Sequence, residues 1–414
     1  MKKKFVSVLC AAACAGMALC ACSQEKDENV FTGETAEMPA YQANLDAITP
    51  SAYSDVEGLD LEPGTYISVI GKEENSSYWK QIRAGVEQAA ADLNEMLGYS
   101  GDDQIKVLYN APADGENIDE QVNILDEELA RYPDVIAIAS IDQDASGVQF
   151  DLAAENGIPI VAFDSGNVYQ GIQCTCRTDN SQATAAGVSR LCEAIGDSGE
   201  IALIVHDSVS ESAKEREAAF RETLSAEHPG VTVVETIYMD DLDDIKKNAA
   251  AEQLNVTLES VQEQQEQQDG EEGQDTEQSD ETAVTMDDIN AAADSMSDED
   301  AVAYCLEKHP DLKGCFGTNI NATQLGLKAL RNMEKIDDVV LMGFDAGAEQ
   351  IEALESGEID GLVVQNPFGI GYAAVVASAR TVLEIGNEAE VNTGYVWVDQ
   401  ENMEEESVQA MLYE

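Results

Sequence analysis

The chain has 414 residues, with 22 Lys and Arg against 82 Asp and Glu, for a formal net charge of −60. A chain this negative repels phosphate backbones and anionic headgroups, which excludes sequence-specific nucleic-acid binding and electrostatic docking on membranes. Beyond residue 22 no stretch is long and apolar enough to cross a bilayer.

The chain begins with a basic cluster, Lys2, Lys3 and Lys4, followed by an apolar run from Phe5 to Leu19 that is short for a bilayer. The run ends in Leu19-Cys20-Ala21-Cys22, with a small residue before the last cysteine and Leu three before it. That is the pattern of a bacterial lipoprotein signal. Cleavage after Ala21 is expected to leave Cys22 as a lipidated N-terminus; bulky Leu19 makes Cys20 the poorer acceptor. An ordinary secretory signal with incidental cysteines is the alternative. Removal of 1–21 takes away three Lys and no acidic residue, leaving a charge of about −63. The protein is therefore expected outside the cytoplasm, held at the cell membrane only through the lipid on Cys22. Residues 22–64 are acidic, lack periodicity and contain Pro39, Pro50 and Pro63, so they read as a solvated tether.

From Thr65 onward short apolar runs alternate with amphipathic segments. The predicted strands are Tyr66–Ile70, Ile105–Tyr109, Val135–Ala139, Ile158–Phe163, Ile201–Val205, Val231–Tyr238, Cys315–Thr318, Val339–Phe344 and Gly361–Val364. Between them lie predicted helices such as Tyr78–Leu97, Ile118–Tyr132, Ser181–Ile195, Ser212–Ala226 and Ala322–Asn332. Apolar runs without alternation suit strands covered on both faces, and strand–helix alternation gives right-handed crossovers and parallel sheets. The length exceeds what one core holds, so the expectation is an α/β protein of two Rossmann-like doubly wound lobes. The chain also echoes itself: Ile158-Pro-Ile-Val-Ala-Phe163-Asp164 resembles Val339-Val-Leu-Met-Gly-Phe344-Asp345. Ligands of open α/β sheets sit beyond the carboxyl ends of the strands, so facing lobes would point both aspartates into one cleft.

One segment breaks the rhythm. No Lys or Arg occurs from Asn248 through Glu307, and Gln262–Glu281 is nearly all Glu, Gln, Asp, Gly, Ser and Thr. Residues 248–298 read as an acidic surface insertion, either disordered or a helical excursion. An EF-hand loop is the functional alternative, but Asp269–Asp280 lacks its ligand spacing. After cleavage five cysteines would remain besides Cys22: Cys174, Cys176, Cys192, Cys305 and Cys315. An odd number precludes a complete disulfide framework within one chain. Strand alternation puts Cys174 and Cys176 on one face. A redox or metal pair is possible there, but with no His nearby in sequence they read as small core residues.

Motifs for catalysis are absent: no G-x-S-x-G, Walker loop or H-E-x-x-H occurs. His228 and His309 precede prolines and read as helix stops, while His206 ends a strand and could line a cleft. Gly369-Ile-Gly371-Tyr-Ala-Ala374 formally fits a dinucleotide fingerprint, but Gln365-Asn-Pro367 separates it from its strand. The glycines read instead as easing a helix against a strand. No metal or cofactor is expected, and no enzymatic activity. Asp164, Asn319, Asp345 and Gln365 sit at or just after strand ends, Arg216 lies early in a helix, and Tyr78 and Trp79 open the first helix. Such a set suits a neutral polyol: planar polar groups pair with vicinal hydroxyls, and aromatic faces cover the C–H patches of a sugar ring. Each residue also has a plain reading as a turn or capping residue.

These stretches resemble the periplasmic binding protein type 1 superfamily, its ribose- and galactose-binding branch, from about Thr65 to Leu412. The resemblance rests on Phe163-Asp164, Ser212-Ala-Lys-Glu-Arg216, Gly317-Thr-Asn319 with Ala322-Thr-Gln-Leu-Gly326-Leu-Lys-Ala-Leu330, Gly343-Phe-Asp345 and Gln365-Asn-Pro367. It implies a sugar receptor that delivers its cargo to an ABC transporter permease as a monomer. It also implies ligand contacts from Asp164, Arg216, Asn319, Asp345 and Gln365, with Tyr78 and Trp79 as aromatic walls. The implied hinge has three crossings, near Cys176–Thr178, Gln365–Asn366 and Gly394–Val396. The N-terminal lobe would then comprise 65–176 plus 366–394, and the C-terminal lobe 177–365 plus 395–414. Ser165, Ala139 and Ser76 stand where ribose receptors carry other polar residues. That points to a larger or different sugar, reached through Asn75, Ser76, Lys72 or Asp142. A sensory receptor, a nucleoside or autoinducer receptor, and an exported glycosidase using Asp164 and Asp345 are the alternatives.

Overall fold

A computed structural model describes residues 39–113, 115, 117–270 and 284–413. The signal segment and Cys22 lie outside these residues, as does the centre of the acidic insertion. From Ala40 onward the chain forms one compact unit. Twelve strands are found among the described residues. In chain order they are β1 Tyr66–Ile70, β2 Lys106–Asn110, β3 Val135–Ile138, β4 Ile160–Phe163, β5 Ile172–Arg177, β6 Gly199–Val205, β7 Val231–Tyr238, β8 Leu312–Gly317, β9 Val340–Phe344, β10 Gly361–Gln365, β11 Glu390–Asn392 and β12 Tyr395–Val398. They form two six-stranded sheets, ordered β11-β5-β4-β3-β1-β2 and β12-β10-β9-β8-β6-β7.

The first sheet is parallel throughout, and in the second only β12 runs antiparallel, against β10. Central strands such as β3 and β4 are buried at every residue, the outcome expected of unalternating Val, Ile and Ala runs covered by helices on both faces. The two-lobed doubly wound architecture read from the sequence is the one observed. β5, β11 and β12 escaped the strand assignment because they are short or lie near a sheet edge, where few apolar residues are needed.

Local chemistry sets the helix ends. Ser76 accepts from Trp79 N to start the helix Ser77–Leu97, and Gly98, at φ +67°, ends it. Asp179, Ser210, Asn319 and Asn366 cap the helices Asn180–Ala194, Glu211–Glu227, Ile320–Asn332 and Pro367–Val382 in the same way. Helices Ser77–Leu97 and Pro367–Val382 cross in direct backbone contact. A Cβ on Gly85 would stand 2.0 Å from Phe368 O, and one on Gly371 would stand 2.0 Å from Ile82 O. Of the fingerprint-like glycines, Gly371 therefore serves helix-on-helix packing, while a Cβ on Gly369 would stand 2.2 Å from the capping Asn366 side chain; neither makes the helix-on-strand contact expected.

Residues 40–64 correct the tether reading. They include a short helix, Gln42–Asp46, and bury Leu45, Ile48, Tyr53, Val56, Leu59 and Leu61 in the main core. Thr49 exchanges two backbone hydrogen bonds with Asn392, at 2.8 and 3.0 Å. Tyr53 Oη accepts from Glu388 N at 2.7 Å. The apolar residues are too sparse to show a period, yet all six join one core.

The insertion is helical on both flanks: Leu258–Gly270, Met286–Ala293 and Asp298–Leu306. Ala250, Ala251, Val261, Ile289 and Ala293 form a small satellite core there. Cys174, Cys176, Cys192, Cys305 and Cys315 are all buried free thiols. The sulfurs of Cys174 and Cys176 lie 3.8 Å apart on one face of β5, as alternation requires.

Candidate functional site

The chain passes between the sheets after β5, after β10, and between β11 and β12. At these crossings Asn366 Nδ2 donates to Asn44 O at 2.7 Å and to Thr393 O at 2.8 Å, and Thr393 N donates to Arg177 O at 3.0 Å. Arg177, at the end of β5, pairs with Glu390 of its own sheet. It also pairs with Glu211 at 3.3 Å and Glu215 at 3.0 Å on the helix that follows β6. The Arg177 side chain is 12% exposed, so this bridge between the lobes is poorly screened. Replacing Arg177 with Met leaves three carboxylates together, and we expect a shift toward an open form. Small-angle scattering with and without saccharide measures it; an unchanged radius of gyration contradicts the expectation.

Between the lobes lies a cavity of about 450 Å³ including its mouth. The first lobe contributes Lys72 and Glu73 after β1, Ser76, Tyr78 and Trp79 at the start of the following helix, and Asp164 after β4. The second contributes His206, Ser212, Arg216, Asn319, Ile320, Asn321, Asp345 and Gln365. All of these lie at or beyond the carboxyl ends of parallel strands, where successive crossovers leave a crevice.

The Phe-Asp echo is structural. Asp164 follows β4 at φ +54° and Asp345 follows β9 at φ +72°, both in the left-handed region. Asp164 N donates to Cys176 O at 2.9 Å and Asp345 N to Val363 O at 2.8 Å, each on the neighbouring strand. The preceding strand thus aims each carboxylate out of its sheet. Backbone strain at a non-glycine residue persists only where its surroundings hold it, and such residues concentrate at functional sites.

The two carboxylates are held differently. Tyr78 Oη donates to Asp164 Oδ1 at 2.5 Å. Asp345 Oδ1 accepts from Gln365 Nε2 at 2.9 Å and from Tyr413 Oη at 3.0 Å, while Oδ2 accepts from Ile320 N at 3.1 Å. Burial pushes the Asp345 carboxyl up, against the opposing pull of Arg216, Gln365 and Tyr413. Arg216 is buried, donates to Thr318 O at 2.6 Å and to Asn180 Oδ1 at 2.9 Å, and lies 4.2 Å above the Phe344 ring. Its guanidinium is thus fixed in place beside the cavity. Burial, reinforced by Arg216 and Lys72, drives His206 down to about 3 against the pull of Asp207, so the imidazole is uncharged at neutral pH. Burial opposes ionisation of Asp207, but His206, Lys72 and Ser210 hold its carboxyl below the usual range.

Eight of the predicted residues line this one cavity: Ser76, Tyr78, Trp79, Asp164, Arg216, Asn319, Asp345 and Gln365. The capping alternative holds as well for Asn319, whose Oδ1 accepts from Ala322 N at 2.8 Å. Two predicted residues do not line it. Asn75 is exposed and donates to Ala113 O at 3.0 Å. Asp142 turns back on its own loop, accepting from Asp144 N at 2.7 Å and Ala145 N at 2.8 Å. The predicted set lacked Glu73, Ser212, Ile320, Asn321 and the Tyr413 behind Asp345. Glu73 lies three residues past a strand end and Ser212 in the first turn of the helix that carries Arg216, signals that could have found them; Tyr413 offered none. Among the described residues no group of three or more His, Cys, Asp or Glu is placed to hold a metal, and no helix is long and apolar enough to cross a membrane.

Residues 67–257 and 256–386 match the family model of the periplasmic binding protein domain. The chain belongs to that family. It is a family of binding proteins, not of enzymes. No curated protein sequence matches the chain significantly. Solved structures with the same fold include a carbohydrate transporter solute-binding protein from Agrobacterium radiobacter in complex with D-arabinose. It is 23% identical with a TM-score of 0.63, and the match covers 84% of this chain and 98% of that one. A second is an ABC transporter solute-binding protein from Agrobacterium vitis bound to α-D-tagatopyranose, 22% identical with a TM-score of 0.64, over 84% of this chain and 99% of that one. A third is GanP, a glucose-galactose binding protein from Geobacillus stearothermophilus, 19% identical with a TM-score of 0.62, over 82% of this chain and 99% of that one. For this periplasmic binding protein, similarity at that level establishes the two-lobed fold.

Proposed function

We propose that this protein captures a saccharide in the interlobe cavity and delivers it to the permease of an ABC transporter. The observation that carries the reading is a single cavity walled from both lobes by Asp164, Arg216, Asn319, Asp345 and Gln365, with Tyr78 and Trp79 beside them. Carboxylates and amides accept from and donate to vicinal hydroxyls, and the guanidinium supplies fixed donors. The aromatic pair offers apolar surface for ring C–H groups. Only the closed form brings both sets to one ligand, so binding energy favours closure. Solved structures of the same fold with bound D-arabinose and tagatopyranose support the ligand class. The protein is proposed to act outside the cytoplasm as a monomer, anchored through a lipid on Cys22.

A thermal-shift screen tests this with D-arabinose, D-tagatose, D-fucose, D-glucose, D-galactose and short oligosaccharides, alongside amino acids and nucleosides. A ligand at a hundred times its dissociation constant adds about 2.7 kcal/mol to stability, a clear upward shift of the melting temperature. A response confined to amino acids or nucleosides, with none to saccharides, would sink the reading.

A further inference from the structure

We propose that Tyr413 is a positioning residue of the interlobe cavity, holding Asp345 from behind while its ring rests on Tyr78 of the opposite lobe. The inference deepens the saccharide-binding reading and rests on it. Tyr413 does not line the cavity, yet it is 3% exposed, and its hydroxyl donates to Asp345 Oδ1 at 3.0 Å. The same oxygen accepts from Gln365, so two donors from different segments fix one carboxylate oxygen. The Tyr413 ring meets the Tyr78 ring edge-on, with centroids 5.9 Å apart. Tyr78 in turn donates to Asp164. Tyr413 thus sits in a chain of contacts, Asp164–Tyr78–Tyr413–Asp345, that joins the acidic groups of both lobes.

The segment after β12 is itself anchored at the hinge. Val408 and Met411 are buried, and Met411 Sδ lies 3.4 Å from Asn44 Nδ2. Asn44 also donates to Asn366, the residue that leads out of β10. The tyrosine is therefore tied both to a crossing strand and to a cavity residue. A buried tyrosine hydroxyl needs an acceptor, and the one Tyr413 meets is the cavity carboxylate of Asp345.

The groups that face Asp345 are Arg216, Asp164, Tyr78, Gln365 and Tyr413. Burial raises the Asp345 carboxyl and Asp164 adds to this; Arg216, Gln365 and Tyr413 favour the ionised form. Removal of the Tyr413 hydroxyl should raise it further. Binding that needs the ionised carboxylate fails as pH falls through that value, so the acid limb should move to higher pH.

The test is Tyr413→Phe in the full chain, titrated calorimetrically from pH 4 to pH 8. The probe is D-galactose or D-arabinose, whichever the wild-type protein binds. The expected result is a loss of affinity of about tenfold or more, because a hydrogen bond to a charged group is removed, together with an acid midpoint displaced upward. Tyr413→Leu should do the same and also lose the ring contact. Unchanged affinity in Tyr413→Phe overturns the inference. So does a loss that is uniform with pH and matched by a fall in apo-protein melting temperature, since that marks a merely structural role. A wild-type protein that binds no saccharide would overturn the functional reading itself, a result separate from either outcome.

Discussion

Asp345→Asn should lose most saccharide affinity while leaving the apo fold nearly as stable as wild type. The carboxylate is 2% exposed, and donors from Gln365, Tyr413 and the Ile320 backbone converge on it. Amidation keeps the shape and one acceptor oxygen but removes the charge that Arg216 faces. Truncating one member of a buried, hydrogen-bonded charge cluster at a binding site costs about 2–5 kcal/mol. That is roughly 30-fold to several thousand-fold in the dissociation constant. Two opposing effects keep the change in stability small: the amide nitrogen deprives Ile320 N of its acceptor, at a cost of about 1–3 kcal/mol, and loss of the buried charge offsets it. The folded-state carboxyl sits above its ordinary range, so ionisation is disfavoured by folding, and a neutral side chain relieves that strain at neutral pH. Calorimetry with the best saccharide of the screen measures the first effect and a thermal melt the second. Wild-type affinity in the variant would remove Asp345 from the binding set.

Gly371→Ala should have the largest effect on stability with the least chemical change. The added methyl would stand 2.0 Å from Ile82 O and 3.0 Å from Val86 N, both backbone atoms of the facing helix Ser77–Leu97. Neither can rotate away, so the helices must separate. Overpacking of this kind costs about 1–3 kcal/mol and more where backbone is involved. The helical preference of Ala over Gly returns only about 1 kcal/mol. We expect a net loss and a melting temperature lower by several degrees. Gly147→Ala is the control: it begins the helix Gly147–Glu155 and has no atom within 4 Å of the added carbon. A melting temperature in Gly371→Ala equal to that of the control would show that the helices can move apart freely.

The parts of the molecule legible in advance are those where burial is continuous. Runs such as Val135–Ile138 and Ile160–Phe163 are apolar at every position because parallel strands are covered on both faces. The Phe-Asp echo was legible for a related reason: each lobe ends a central strand in the same way, and the residue after the strand has only the crevice to face. Residues 40–64 do not read as ordered from the sequence because their core residues Leu45, Ile48, Tyr53, Val56, Leu59 and Leu61 are irregularly spaced, and mean composition averages a buried Tyr53 with its acidic neighbours. Asn75 and Asp142 enter the expected site only through the family resemblance, as substitutes for polar residues that ribose receptors carry nearby. Loop geometry decides whether such a side chain faces inward, and Asp142 instead closes a turn on its own backbone.

The amino-acid sequence by itself determined the alternation of strands and helices, the doubling of the lobe, and the carboxylates and guanidinium that each lobe can offer. These are local properties, set by burial pattern and by capping within a few residues. Only the tertiary structure decided that Tyr413 stands behind Asp345, separated by 68 residues, and that Asn44 braces the hinge at Asn366, 322 residues away. Contacts of that span depend on how lobes and crossing segments pack in three dimensions, and no periodicity along the chain encodes them.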